Sequence, residues 1–156
     1  MPDVDPLTID FATLASLAGQ SASGYLLRRI RAAGHPQLRV SHGYVFQRLI
    51  DREPTIGELA DDLGVSQQAV SKSVLELEQL GYVERRADAA DSRVRRVALT
   101  SRGEAALAAG RAARADLEAA LRPTDAAKRE LIALLGETGG LEAITSRRAP
   151  SPETGA

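Results

Sequence analysis

The 156 residues contain no cysteine and no tryptophan, and only two histidines. Without thiols there is no disulfide scaffold, no thiolate metal site, no cysteine nucleophile and no thiol-based redox sensor. Two histidines without supporting cysteines make a poor zinc site, and no metal is expected. No stretch approaches the roughly 18 apolar residues of a membrane span. Met1 to Thr8 lacks the basic start and apolar run of a signal peptide. A cytoplasmic, nucleoid-associated protein with no membrane partner is the expectation. Also missing are a glycine-rich phosphate loop and any Ser/His/Asp or paired-carboxylate spacing above chance, so the chain reads as no enzyme and no cofactor is expected. There is no repeat of fixed period. The only lysines are Lys72 and Lys128.

The length and a 44% hydrophobic content allow one respectable core. A net charge of −1 argues against a uniformly basic nucleic-acid binder, but the charges are unevenly placed. Between Arg85 and Arg102 stand Arg85, Arg86, Arg93, Arg95, Arg96 and Arg102 against only Asp88 and Asp91. That is a local positive stripe.

Helical periodicity comes first along the chain. Phe11, Leu14, Leu17, Ala18, Ser21, Tyr25 and Ile30 share a face of a helix from about Asp10 to Ala33, ended by Gly34 and Pro36. A second helix is expected from Val40 to Asp51. Thr55-Ile56-Gly57-Glu58 fits a capping box that opens a third. Gly64 is placed to end it in the left-handed conformation, and Ser66 to cap a fourth, with Val65 and Val70 as its apolar staple. Ile56 to Leu80 is therefore a helix pair with a three-residue turn. After Gly81 the period changes, and Tyr82–Arg86 with Val94–Thr100 reads as a hairpin. An alanine-rich helix to about Leu121 follows, then Pro123, and a last helix capped by Thr124. The fold expected is mainly α with a small β-hairpin. Its parts are an N-terminal dimerisation helix (1–38), a winged helix-turn-helix lobe (39–103), C-terminal dimerisation helices (104–146) and a disordered tail (147–156).

A helix pair followed by a basic hairpin suits major-groove recognition with a flanking minor-groove contact. With Ala69 and Val70 assigned to the buried face, Ser66, Gln67, Gln68, Ser71 and Lys72 project outward. Amides, hydroxyls and an ammonium at a helix start can meet base edges and phosphates. The plainer reading of these residues is a cap and a solvated face; the adjacent arginine hairpin outweighs it. Arg85, Arg93, Arg95 and Arg96 complete the expected DNA-binding set. Asp91, two residues before Arg93, is the expected orienting carboxylate of the wing.

These residues resemble the MarR family of bacterial transcription regulators. The likeness lies in Thr55–Ala60, Gly64–Lys72, Leu77–Arg85 and the wing pattern Asp91-Ser92-Arg93 followed by Leu99-Thr100 and Gly103. It implies a homodimer interlocked through its terminal helices, acting on double-stranded DNA at a pseudo-palindromic operator, as a ligand-responsive repressor. It also implies a small aromatic or phenolic effector held between the dimerisation helices and the DNA-binding lobe. Tyr25, His35, His42, Tyr44 and Arg48 are the residues here able to line such a pocket, although tyrosines at helical spacing are more often core. The absence of cysteine and tryptophan departs from the family's peroxide-sensing and urate-responsive branches. The alternative function is a winged-helix protein–protein interaction module without DNA readout, against which the clustered Arg93, Arg95 and Arg96 weigh.

Overall fold

A computed structural model describes residues 5–140. Among these residues a single 3-10 turn (Pro6–Thr8) precedes six α-helices and one hairpin, in order α1 (Phe11–Ala32), α2 (Val40–Arg48), α3 (Ile56–Leu63), α4 (Gln67–Gln79), β1 (Val83–Ala87), β2 (Arg95–Leu99), α5 (Ser101–Leu121) and α6 (Asp125–Glu137). This is the mainly helical, hairpin-bearing fold that the sequence pattern predicts. Two compact units emerge, one from the chain ends (through Gly19 and from Ala120 on) and one from Gln20 to Ala119. The expected tail at 147–156 lies outside the described residues.

The α3–α4 pair is set by its ends. The Thr55 hydroxyl accepts from the Glu58 amide at 3.2 Å, and the Glu58 carboxylate accepts from the Thr55 amide at 2.7 Å. Two orphan donors of the first turn are thereby satisfied, and the Thr55 amide holds the Glu58 carboxyl below its usual range. Gly64 sits at φ 64°, ψ 34°, and the Val65 amide closes back on the Ala60 carbonyl at 3.1 Å. A side chain in that left-handed position would be strained, so glycine suits the turn. Val65, expected to staple onto Val70, is half-exposed, whereas Val70 is buried.

Leu59, Val70, Val74, Leu77, Tyr82 and Val97 form the centre of the core in the Gln20–Ala119 unit. β1 and β2 pair antiparallel with Val83 opposite Leu99 and Arg86 opposite Arg96. The stretch before α3 joins this hairpin: the Val97 amide donates to the Pro54 carbonyl at 2.8 Å. The wing is thus tied to the start of the helix pair. In the other unit, Phe11, Leu14 and Leu17 of α1 and Leu131 and Ile132 of α6 are about half-exposed, and Leu121 and Leu7 more so. None of the α1 or α6 residues is buried in the single chain.

Candidate nucleic-acid interface

Ser66 caps α4 through its hydroxyl, which accepts from the Ala69 amide at 3.2 Å. Val70, Val74 and Leu77 anchor the helix to the core. Gln67, Gln68 and Lys72 are exposed and Ser71 is half-buried. Ala69 is exposed too, contrary to its expected place beside Val70. The buried face follows the helical period through Val70, Val74 and Leu77, and Ala69, about 100° round from Val70, falls outside it. Gln67 leans across the start of α3, its amide nitrogen 3.5 Å from where a Cβ on Gly57 would stand. Gln68, Ala69 and Lys72 remain as the outward surface of the first turns.

The arginines of the hairpin divide into two groups. Arg86 binds Glu84 and reaches Glu53 at 3.1 Å. Arg85 approaches Glu78 at 3.5 Å. Arg96 binds the Asp88 carboxylate, donates to the Glu53 carbonyl at 3.0 Å and lies 3.7 Å from Glu58. The Arg96 contact, with the Ala90 and Asp91 amides, holds the Asp88 carboxyl below its ordinary range, and Asp88 raises Arg96 in return. These three cations brace the wing. Arg93 and Arg95, like Lys72, are exposed and form no ion pair among the described residues.

The wing loop is organised differently from expectation. The Asp91 carboxylate accepts from the Arg93 backbone amide at 2.9 Å, so it fixes the chain there and leaves the guanidinium unheld. Asp88 is the organiser: one oxygen accepts from the Ala90 and Asp91 amides at 2.7 and 3.1 Å, and the other binds Arg96. Counting Asp88 only as an anion against the positive stripe misses this role; an Asp three residues before another Asp in a tight loop is the signal that finds it.

α1, α2 and α5 line a partly open apolar cleft of about 70 Å³ with walls that include Leu27, Ile30, Phe46 and Leu107. His42 lines it, and Tyr44 lines an adjoining cleft. Tyr25 and Arg48 line neither. Arg48 is buried because it turns to α3, donating to the Asp62 carbonyl at 2.9 Å. His35 pairs instead with Tyr82, its Nδ1 3.2 Å from the Tyr82 hydroxyl. His42 is almost fully buried: its Nδ1 accepts from the Arg39 amide at 3.3 Å, which leaves Nε2–H facing Glu76 of α4 at 3.3 Å. Arg39 also binds Glu76 and lines both clefts, as Arg114 does. Arg39 and Glu76 carry no sequence signal, since their contact spans 37 positions.

Residues 38–94 match the family model described as MarR family. No curated protein matches the chain. Among solved structures, a MarR family transcription regulator, SP03579, is 20% identical with a TM-score of 0.67, covering 88% of this chain and 91% of its own. The transcriptional regulator PA3341 is 25% identical, with a TM-score of 0.59 and coverage of 85% and 98%. MepR of S. aureus bound to ethidium bromide is 17% identical, with a TM-score of 0.57 and coverage of 85% and 96%.

Proposed function

We infer that this chain, which carries the MarR family pattern over residues 38–94 and the fold of MarR-family regulators, is a sequence-specific double-stranded-DNA-binding transcription regulator. The observation that carries the reading is the division of the cations. Lys72 on α4 and Arg93 and Arg95 on the wing stand exposed without ion pairs among the described residues, while Arg85, Arg86 and Arg96 are engaged within the protein. A helix start and a hairpin that leave those charges free suit a major groove and its neighbouring phosphates. Gln68 is the leading base-edge candidate of α4, half-buried Ser71 the lesser one, with Ser66 and Gln67 contributing the cap and the α3 contact.

The acting form is a homodimer. Phe11, Leu14, Leu17, Leu131 and Ile132 expose an amount of apolar surface that a second copy would cover, at about 25 cal/mol per Å² buried. Two-fold symmetry then calls for a pseudo-palindromic operator with half-sites about one DNA turn apart. Occupying a promoter in this way makes repression the natural outcome. The cleft lined by α1, α2 and α5 has the apolar walls that suit a small effector, and a protein of the same fold, MepR, has been solved with ethidium bromide. Binding to DNA from upstream of its own gene, followed across salt concentration, tests the regulator reading.

A further inference from the structure

Tyr82 is fully buried, and it joins α4 and the wing to three other parts of the Gln20–Ala119 unit. Its backbone stands between the two elements: the amide donates to the Leu77 carbonyl of α4 at 2.9 Å, and the next residue, Val83, opens β1. Its ring packs edge-on against Phe46 of α2, with centroids 6.0 Å apart. Its hydroxyl lies 3.2 Å from Nδ1 of His35, in the connection after α1, and 3.4 Å from Nη2 of Arg102 on α5. The Arg102 guanidinium also stands 4.7 Å from the centre of the Tyr82 ring.

The hydrogens at this joint are constrained. An arginine only donates, so Arg102 takes a lone pair of the Tyr82 oxygen and offers no acceptor in return. The phenolic hydrogen still needs an acceptor, and among the described residues His35 Nδ1 is the one within reach. A neutral His35 with its proton on Nε2 completes the joint. A charged His35 carries hydrogen on both ring nitrogens and can only donate, so the buried hydroxyl loses its acceptor and has a cation on either side. Nothing near the ring offsets this. Tyr82 faces it from the base of the wing, and Arg102 of α5 is the one charge that bears on it among the described residues. Phe46 of α2, packed on Tyr82, brings no charge, and Arg31 at the end of α1 is turned to the Leu38 carbonyl. We propose that the His35–Tyr82–Arg102 joint makes DNA binding sensitive to acid, with His35 a positioning residue that holds α4 and the wing in register while its ring is neutral and releases them when it is protonated. The inference rests on the reading of α4 and the wing as the DNA-binding surface. Its sign follows from linkage. Burial, and then the Arg102 charge, lower the His35 pKa in the closed joint. Competence to bind is therefore full above the free value of about 6.5 and is lost as pH falls below it.

The probe is a duplex selected from a random pool at pH 7.5. Its affinity for the full chain is followed by fluorescence anisotropy from pH 7.5 to 5.5 at constant ionic strength, with circular dichroism reporting the fold. A group that must stay neutral costs up to about tenfold per pH unit below its free value, so the wild type should lose about threefold to tenfold in affinity per lobe by pH 5.5 while its helical signal holds. His35→Gln keeps an acceptor for the Tyr82 hydroxyl without a titrating ring, and should flatten the profile while retaining affinity at pH 7.5. Arg102→Gln removes the facing cation and supplies an amide oxygen for the phenolic hydrogen, and should shrink the acid loss. A histidine of merely structural importance would instead shift affinity equally at every pH. A flat wild-type profile, which depends on no variant folding, overturns the proposal and leaves the DNA-binding reading intact. Acid loss that persists in His35→Gln, or that tracks loss of helical signal in the wild type, also overturns it. Should His35→Gln fail to fold, an acid loss in Arg102→Gln equal to that of the wild type does the same. Failure of selection to yield any bound duplex at pH 7.5 removes the regulator reading and the proposal together.

Discussion

Gly103 meets Tyr82 so closely that a Cβ at position 103 would stand 2.2 Å from the Tyr82 carbonyl oxygen and 2.9 Å from Leu99 Cδ2. The obstacle on one side is backbone, fixed by the Thr100 amide, which donates to the same carbonyl at 3.1 Å. The Thr100 hydroxyl adds to the joint by donating to the Gly81 carbonyl at 2.6 Å and accepting from the Gly103 amide at 3.2 Å. The Leu-Thr-x-x-Gly pattern is therefore the weld between the end of α4, the base of the wing and the start of α5.

Gly103→Ala should accordingly lower stability by about 2–3 kcal/mol, the cost of forcing a methyl group into packed backbone. Urea unfolding checks it, and an unchanged midpoint would show that the weld yields easily.

Acid should weaken the fold through His35. Burial lowers its pKa, with the Arg102 charge adding to the effect, while its ring pairs with Tyr82. The folded state thus favours the neutral ring. Stability from this site is full above the unfolded value of about 6.5 and is lost as pH falls below it toward the lowered folded value. Unfolding midpoints measured from pH 7.5 to 5.5 should decline, and His35→Gln should flatten the decline. An equal slope in the variant would remove His35 as its source.

The division of the arginines predicts unequal salt effects on DNA binding. Lys72→Ala, Arg93→Ala and Arg95→Ala should each lower the slope of log affinity against log salt by about 0.9 for every phosphate left without its cation. Arg86→Ala should change it little, because Glu84 and Glu53 already hold that guanidinium. A larger change from Arg86 than from Arg93 would reverse the assignment of bracing and DNA-facing groups.

Asp88 should matter more to the wing than Asp91. Asp88→Ala removes the acceptor of two amides and the partner of Arg96, whereas Asp91→Ala removes only the acceptor of the Arg93 amide. DNA affinity should fall further in the first variant than in the second. Equal losses would place the organisation of the loop elsewhere.

The helix pair was legible because its determinants are local. Thr55 and Glu58, Gly64 and Ser66 act on neighbours within four residues, and each sits where the sequence pattern puts it. The hairpin was legible for the same reason, down to the antiparallel pairing of the two strands after Gly81. What failed was long-range or geometric. Arg48 looks like a pocket residue on a helical projection but is drawn into the core by a carbonyl fourteen positions away. The choice between Asp88 and Asp91 turns on which carboxylate the loop curls around, and composition does not distinguish them. Arg39 and Glu76 meet across 37 positions, with no periodic pattern linking them.

The most direct test is fluorescence anisotropy of the full chain on a duplex selected from a random pool, repeated at several salt concentrations with wild type and the Lys72→Ala/Arg93→Ala/Arg95→Ala triple variant. The wild type should bind its selected duplex at least about a thousandfold more tightly than unrelated DNA, with affinity falling linearly on logarithmic axes. The folded triple variant should show both a weaker affinity and a shallower slope. Selection that enriches no sequence, or a triple variant that keeps the wild-type slope, would contradict DNA recognition by α4 and the wing.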